Sequence, residues 1–187
     1  LLAHILENHV LFVVLLEENR LYNEFCIIDL LHLIINLFFD MTHLKVGDIA
    51  PHFKGLNQYS NQIALDDFEN KKLILFFYPK DNTPGCTAEA CNLNEHYSYF
   101  KKNGFEIIGI SPDSEMSHTK FIEKFDLSFN LISDVSKDMC KSYGVWGKKK
   151  FMGREYDGVH RTTFIINEKR IIEKVFSKVN TKNHSEQ

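Results

Sequence analysis

Leu73-Ile74-Leu75-Phe76-Phe77-Tyr78-Pro79-Lys80-Asp81-Asn82-Thr83-Pro84-Gly85-Cys86-Thr87-Ala88-Glu89-Ala90-Cys91 is the stretch whose reading decides the rest of the chain. Its apolar run from Leu73 to Phe77 stops at Tyr78-Pro79, and a polar turn carrying Thr83-Pro84-Gly85 follows. A short apolar run bounded by turn residues reads as a buried strand. Cys86 then opens a segment with helical spacing. A thiol placed where a strand hands over to a helix lies beside unpaired backbone N–H groups and the positive end of the helix dipole. That setting favours the thiolate, the form that attacks electrophiles. With Cys91 five residues on, two thiols share one short segment, and the arrangement points to redox chemistry at Cys86 with Cys91 as its partner.

Downstream, Ala90, Leu93, Tyr97 and Phe100 recur at spacings of three and four, so they line one helix face. Cys86 falls on the same stripe one turn earlier; Cys91 does not. Lys101-Lys102-Asn103-Gly104 is a basic last turn with a glycine stop. Phe105 to Ser111 reads as a second strand buried on both faces. Pro112-Asp113-Ser114 is a turn with a cap, and Phe121, Ile122 and Phe125 mark another amphipathic helix. Leu131 to Ser133 reads as a short strand, Ser136 to Tyr143 as a short helix ended by Gly144, and Lys148 to Gly158 as a polar loop. Thr162 to Ile166 and Ile171 to Phe176 flank Asn167-Glu168-Lys169-Arg170, a hairpin signal. Upstream, Gly47 to Phe53 is a turn-rich lead-in and Gln62 to Leu65 a short edge strand. Strands alternating with helices, closed by a hairpin, imply an α/β fold with a central mixed sheet flanked by helices.

The chain has 187 residues, 44% hydrophobic and 25% charged, within the range of a soluble globular domain. A net charge of -3 gives no ground for a nucleic-acid partner. Four cysteines (Cys26, Cys86, Cys91, Cys140) are too few for a disulfide framework. The nine histidines are scattered with no metal-ligand spacing, and there is no phosphate-binding glycine loop or dinucleotide fingerprint, so neither metal nor cofactor is expected. Lys148-Lys149-Lys150 reads as a solvated charge run, and Cys140 and Cys26 as non-catalytic.

Residues 1–40 stand apart. They hold no Gly or Pro and carry six acidic residues against a single Arg20. Their longest apolar run, Val10 to Leu16, is far shorter than the roughly 18 residues of a membrane span. No secretory or mitochondrial leader pattern is present. A helix lying on a membrane surface is one reading. The preferred one takes residues 1–40 as an atypical segment outside the native domain, with folding starting near Met41.

The stretch Tyr78 to Cys91 resembles the active-site segment of the bacterioferritin-comigratory (Q-type) peroxiredoxins, and Pro79, Thr83 and Cys86 match the general peroxiredoxin pattern P-x-x-x-T-x-x-C. Gly47-Asp48-Ile49-Ala50-Pro51, Tyr143-Gly144-Val145-Trp146-Gly147, Phe151-Met152-Gly153, Gly158-Val159-His160-Arg161 and Phe164-Ile165-Ile166 also look like that subfamily. The likeness runs from Met41 to the C-terminus. It implies a thioredoxin-like fold with an N-terminal extension. Members usually finish with a helix, whereas this chain stops at Asn183-His184-Ser185-Glu186-Gln187, so the end reads as truncated.

The resemblance implies that Cys86 is the peroxidatic thiolate and Cys91 the resolving thiol. It further implies that Arg161 faces thiolate and peroxide, that the Thr83 hydroxyl bonds the peroxide, and that Pro79 shields the pocket. Glu89 is read as a first-turn carboxylate that favours the helix dipole, a structural role. In an intact helix, residues five apart have Cα atoms roughly 8 to 9 Å apart and point about 140° away from each other. A disulfide needs Cα atoms within about 7 Å, so a Cys86–Cys91 bond requires the helix start to unwind. The expectation is a cytoplasmic, monomeric thiol peroxidase acting on hydrogen peroxide and organic hydroperoxides, with thioredoxin (or glutaredoxin) as reductant and no stable membrane association. Two rivals remain: a general disulfide oxidoreductase, whose usual C-x-x-C is absent, and a non-enzymatic redox sensor or chaperone.

Overall fold

The computed structural model describes residues 44–151 and 153–187. The expectations for residues 1–40, Cys26 included, lie outside the described residues.

The central sheet is built around β3 (Lys72–Phe77) and β4 (Phe105–Ser111), which run parallel with Leu75 opposite Ile108 and Phe76 opposite Gly109. Along β3, Leu73, Leu75 and Phe77 enter one core while Ile74, Phe76 and Tyr78 enter another on the opposite face. Burial on both faces is why the strand reads as an unbroken apolar run. β4 can approach its neighbours this closely because Gly109 carries no side chain. A Cβ there would stand 2.6 Å from both Leu131 Cδ2 and Phe76 Cζ.

The seven strands of the sheet lie in the order β2 (Gln62–Ala64), β1 (Lys54–Asn57), β5 (Asn130–Ser133), β4, β3, β8 (Thr162–Ile166), β9 (Ile172–Phe176). β1 and β2 form one antiparallel edge, and β5 runs parallel to β4. β8 pairs antiparallel with β3 and forms the expected hairpin with β9. α1 (Pro84–Glu95), α2 (Tyr97–Lys102) and α3 (Glu115–Phe125) contribute to the Phe76 face. α4 (Asp138–Ser142) covers the Phe77 face with Met139 and Cys140. This is the expected mixed sheet flanked by helices.

Two local expectations need correcting. The helical stripe from Cys86 to Phe100 is carried by two helices rather than one, because His96 leaves helical geometry at φ -103° and ψ 3°. The stripe still packs, with Cys86, Ala90 and Leu93 buried and Tyr97 and Phe100 against them. The supposed polar loop is a hairpin, β6 (Trp146–Phe151) with β7 (Arg154–Val159), forming its own two-stranded sheet.

Candidate active site

Cys86 is the third residue of α1, where backbone N–H groups have no partner one turn back. Pro84 fits the first helical position because it has no N–H to leave unsatisfied. Cys86 is 1% exposed and packs in the Phe76-side core.

Arg161 precedes β8, one residue beyond the pair Phe77–Thr162 that ends the antiparallel ladder with β3. That register carries it to the end of β3 where the Cys86 loop begins. Its Nη2 donates to Cys86 Sγ at 3.1 Å, and its Nη1 forms an ion pair with Glu89 Oε2. Burial alone would lower the Arg161 pKa; the charges of Glu89 and Cys86 outweigh it, and the shift is upward. The guanidinium side chain keeps 20% of its surface, so the solvent edge of the site lies on its side of the sulfur.

Glu89 corrects the sequence reading. It is the sixth residue of α1, beyond the first turn, and its side chain is fully buried. Burial pushes its pKa up to about 7, only partly offset by Arg161. Its Oε1 has no hydrogen-bond partner, and His184 Nε2 stands 3.9 Å away. The two partners feel the pair unequally: the guanidinium stays charged, while burial holds the pKa of the enclosed carboxylate up at about 7.

Thr83 caps α1 from an extended backbone, without a side-chain cap bond. Its hydroxyl donates instead to Lys80 O at 3.0 Å, leaving the oxygen lone pairs to accept. Pro79 is half-buried at the opening of the same loop. Cys91 is half-buried, and its pKa is raised by burial and then by Glu95. The thiols of Cys86, Cys91 and Cys140 are free. Cys140 is wholly buried, its pKa raised by burial and then by Asp134, which leaves it a core residue.

Lys149 was missed. Strand alternation in β6 leaves Lys148 and Lys150 exposed and half-buries Lys149, whose Nζ donates to Val159 O at 2.9 Å. Burial and the repulsion of Arg161 lower its pKa, opposed by the attraction of Cys86. A run of three lysines hides this, because only pairing decides which one faces inward. Among the described residues no His/Cys/Asp/Glu cluster is placed to hold a metal ion, and no helix is long and apolar enough to cross a membrane.

A buried thiol at a helix start, bonded by a guanidinium from the neighbouring strand of a thioredoxin-like sheet, defines a cysteine-based redox enzyme. The AhpC/TSA family model matches residues 46–175, and the chain belongs to that family. It is 47% identical to a putative peroxiredoxin bcp of Haemophilus influenzae over 77% of this chain and 93% of that one. It is 44% identical to peroxiredoxin Bcp of Escherichia coli over 77% and 92%. Among solved structures, a Cys-to-Ser mutant of Xylella fastidiosa PrxQ superposes with a TM-score of 0.73 at 32% identity, covering 78% and 92% of the two chains. A bacterioferritin comigratory protein of Xanthomonas campestris, in a structure concerned with its alkyl peroxide reduction activity, gives 0.69 at 29% identity over 78% and 92%. The enzyme is therefore a peroxiredoxin, a thiol peroxidase.

Proposed function

We propose that Cys86 is the peroxidatic residue and Cys91 the resolving one, in a cycle that reduces hydrogen peroxide and organic hydroperoxides. The observation that carries this reading is the 3.1 Å contact from Arg161 Nη2 to Cys86 Sγ. A fixed guanidinium there favours the thiolate and stabilises the charge that builds on the peroxide oxygens. The thiolate attacks the nearer oxygen, the O–O bond breaks, and water or alcohol leaves after taking a proton. Cys86 is left as a sulfenic acid. Thr83 accepts a hydrogen bond from the peroxide, and Pro79 closes the pocket above the sulfur.

For resolution the start of α1 unwinds. Deprotonated Cys91 then attacks the Cys86 sulfur, the S–O bond breaks and water departs, leaving a disulfide. A dithiol reductant, thioredoxin in the first instance, restores both thiols by exchange. The burial that raises the Cys91 pKa in the folded helix is relieved by the same unwinding. An intramolecular pair needs no second subunit, so the working unit is a monomer, and its dependence on reduced thiols suits the cytoplasm.

The test is peroxide consumption with thioredoxin and its reductase, comparing wild type with Cys86→Ser, together with mass mapping after one equivalent of peroxide. Turnover should vanish in the variant, and the wild type should carry a Cys86–Cys91 bridge. A persistent sulfenate without that bridge would remove Cys91 from the cycle; unchanged turnover in the variant would remove Cys86.

A further inference from the structure

Between β3 and α1, Asp81 is held far more firmly than a loop residue needs to be. Its carboxylate is buried and receives three side-chain donors: Tyr78 Oη at 2.8 Å on Oδ1, and Ser117 Oγ at 2.7 Å and His118 Nδ1 at 2.9 Å on Oδ2. Its backbone N–H donates to Asp113 Oδ2 at 2.9 Å, an oxygen that also receives Ser111 Oγ at 2.7 Å. Ser117 and His118 belong to α3, and Ser111 closes β4. Two of the bonds made by Asp81 therefore run to α3 and one to the turn at Asp113 that Ser111 anchors to β4, and none of them runs to the helix that bears Cys86.

His118 shows what this cluster is for. The ring is fully buried, and a carboxylate acceptor requires the proton to sit on Nδ1. Nε2 has no hydrogen-bond partner, so the ring accepts an unsatisfied buried nitrogen in order to serve Asp81. Burial by itself would raise the Asp81 pKa; the bonds and charge from His118, then Ser117 and Tyr78, outweigh it and keep the carboxylate ionised. The next residue, Asn82, is left-handed at φ 55°, and Thr83 then caps α1. Asp81 thus fixes the loop three residues before the helix that must unwind.

We propose that Asp81 is a positioning residue, a latch joining the Cys86 loop to α3 and β4, which sets how readily the start of α1 unwinds. It thereby divides the cycle between peroxide attack and disulfide formation. The proposal rests on the reading that Cys91 resolves Cys86 after local unwinding. With the latch closed, Thr83 and the first turn of α1 hold Cys86 under Arg161. With it open, Cys86 is released toward Cys91 at the expense of the attack geometry.

Quenched-flow mass spectrometry of Asp81→Asn and His118→Leu tests this, following sulfenate and disulfide separately. Losing a buried bond to a charged group should speed disulfide formation on the order of ten-fold. Sulfenate formation should slow in the same variants, and less sulfinic acid should accumulate at high peroxide. A merely structural residue would slow both steps together, and that outcome, or an unchanged disulfide rate, overturns the latch. Hydrogen exchange of the reduced proteins gives a readout that needs no role for Cys91. Amides 83–88 should exchange faster in the variants while those of α3 and β4 keep their protection; a uniform increase sinks the proposal. If Asp81→Asn does not fold, Ser117→Ala removes a single donor and should give the same pattern, weakened. Absence of a Cys86–Cys91 bridge in the wild type would refute the resolving role and leave the exchange result to judge the latch alone.

Discussion

Arg161 Nη2 lies 3.1 Å from Cys86 Sγ across 75 residues of sequence. The same guanidinium holds Glu89 through Nη1, so one planar group serves a sulfur and a carboxylate at once. Only a fork of fixed N–H donors can meet two acceptors in this way; an ammonium is a point charge on a flexible stem.

Arg161→Lys should therefore slow peroxide reduction by roughly 100-fold, the cost of losing a preorganised donor to developing oxyanion charge. Stopped-flow measurement of the second-order rate decides it. A rate close to wild type would mean that the contact to Cys86 does not contribute to the chemistry.

Glu89 makes stability depend on pH. Its folded value, about 7, lies above the ordinary 4.5 of an unfolded glutamate. Its contribution to stability is therefore complete below the unfolded value and fades as pH rises through about 7. The span corresponds to a loss on the order of 3 kcal/mol. Urea denaturation near pH 5 and pH 8 should show the wild type losing more stability with rising pH than Glu89→Gln. Equal losses in the two proteins would contradict a raised pKa at the enclosed Glu89 carboxyl.

Cys140→Ala should leave turnover and the Cys86–Cys91 bridge unchanged while lowering stability by about 1 kcal/mol. Its sulfur is buried between α4 and the sheet, and burial and Asp134 both disfavour its thiolate. A loss of peroxide reduction at unchanged stability would assign Cys140 a part in the cycle.

Gly109→Ala tests the packing of the sheet that carries the site. The added methyl meets Phe76 and Leu131, both buried side chains with no room to retreat. A destabilisation of 1–3 kcal/mol is expected, about the cost of overpacking, read from the urea midpoint. A stability equal to wild type would show that β4 can shift without penalty.

The strand–turn–helix that presents Cys86 was legible in the sequence because its signals are local: the apolar run, its stop at Tyr78-Pro79, the turn residues Thr83-Pro84-Gly85, and the stripe of Ala90 and Leu93; only the helix start, at Pro84 rather than Cys86, was read two residues late. The β8–β9 hairpin was legible for the same reason. The separate hairpin at Trp146–Phe151 was not, since its strands pair with each other and carry no alternation of apolar residues to reveal it.

Electrostatic environment was the part that only tertiary structure decided. Glu89 read as a first-turn carboxylate serving the helix dipole and Lys149 as part of a solvated charge run, while Asp81 drew no reading of its own. Their burial depends on Arg161, Val159 and His118, which arrive from other elements. Arg161 itself had only a family likeness to mark it, because a single arginine before a strand carries no sign of which sulfur the sheet register will bring to it. Short-range order is written in neighbouring residues; the field around the thiol is a sum over groups that the chain brings together only when it folds.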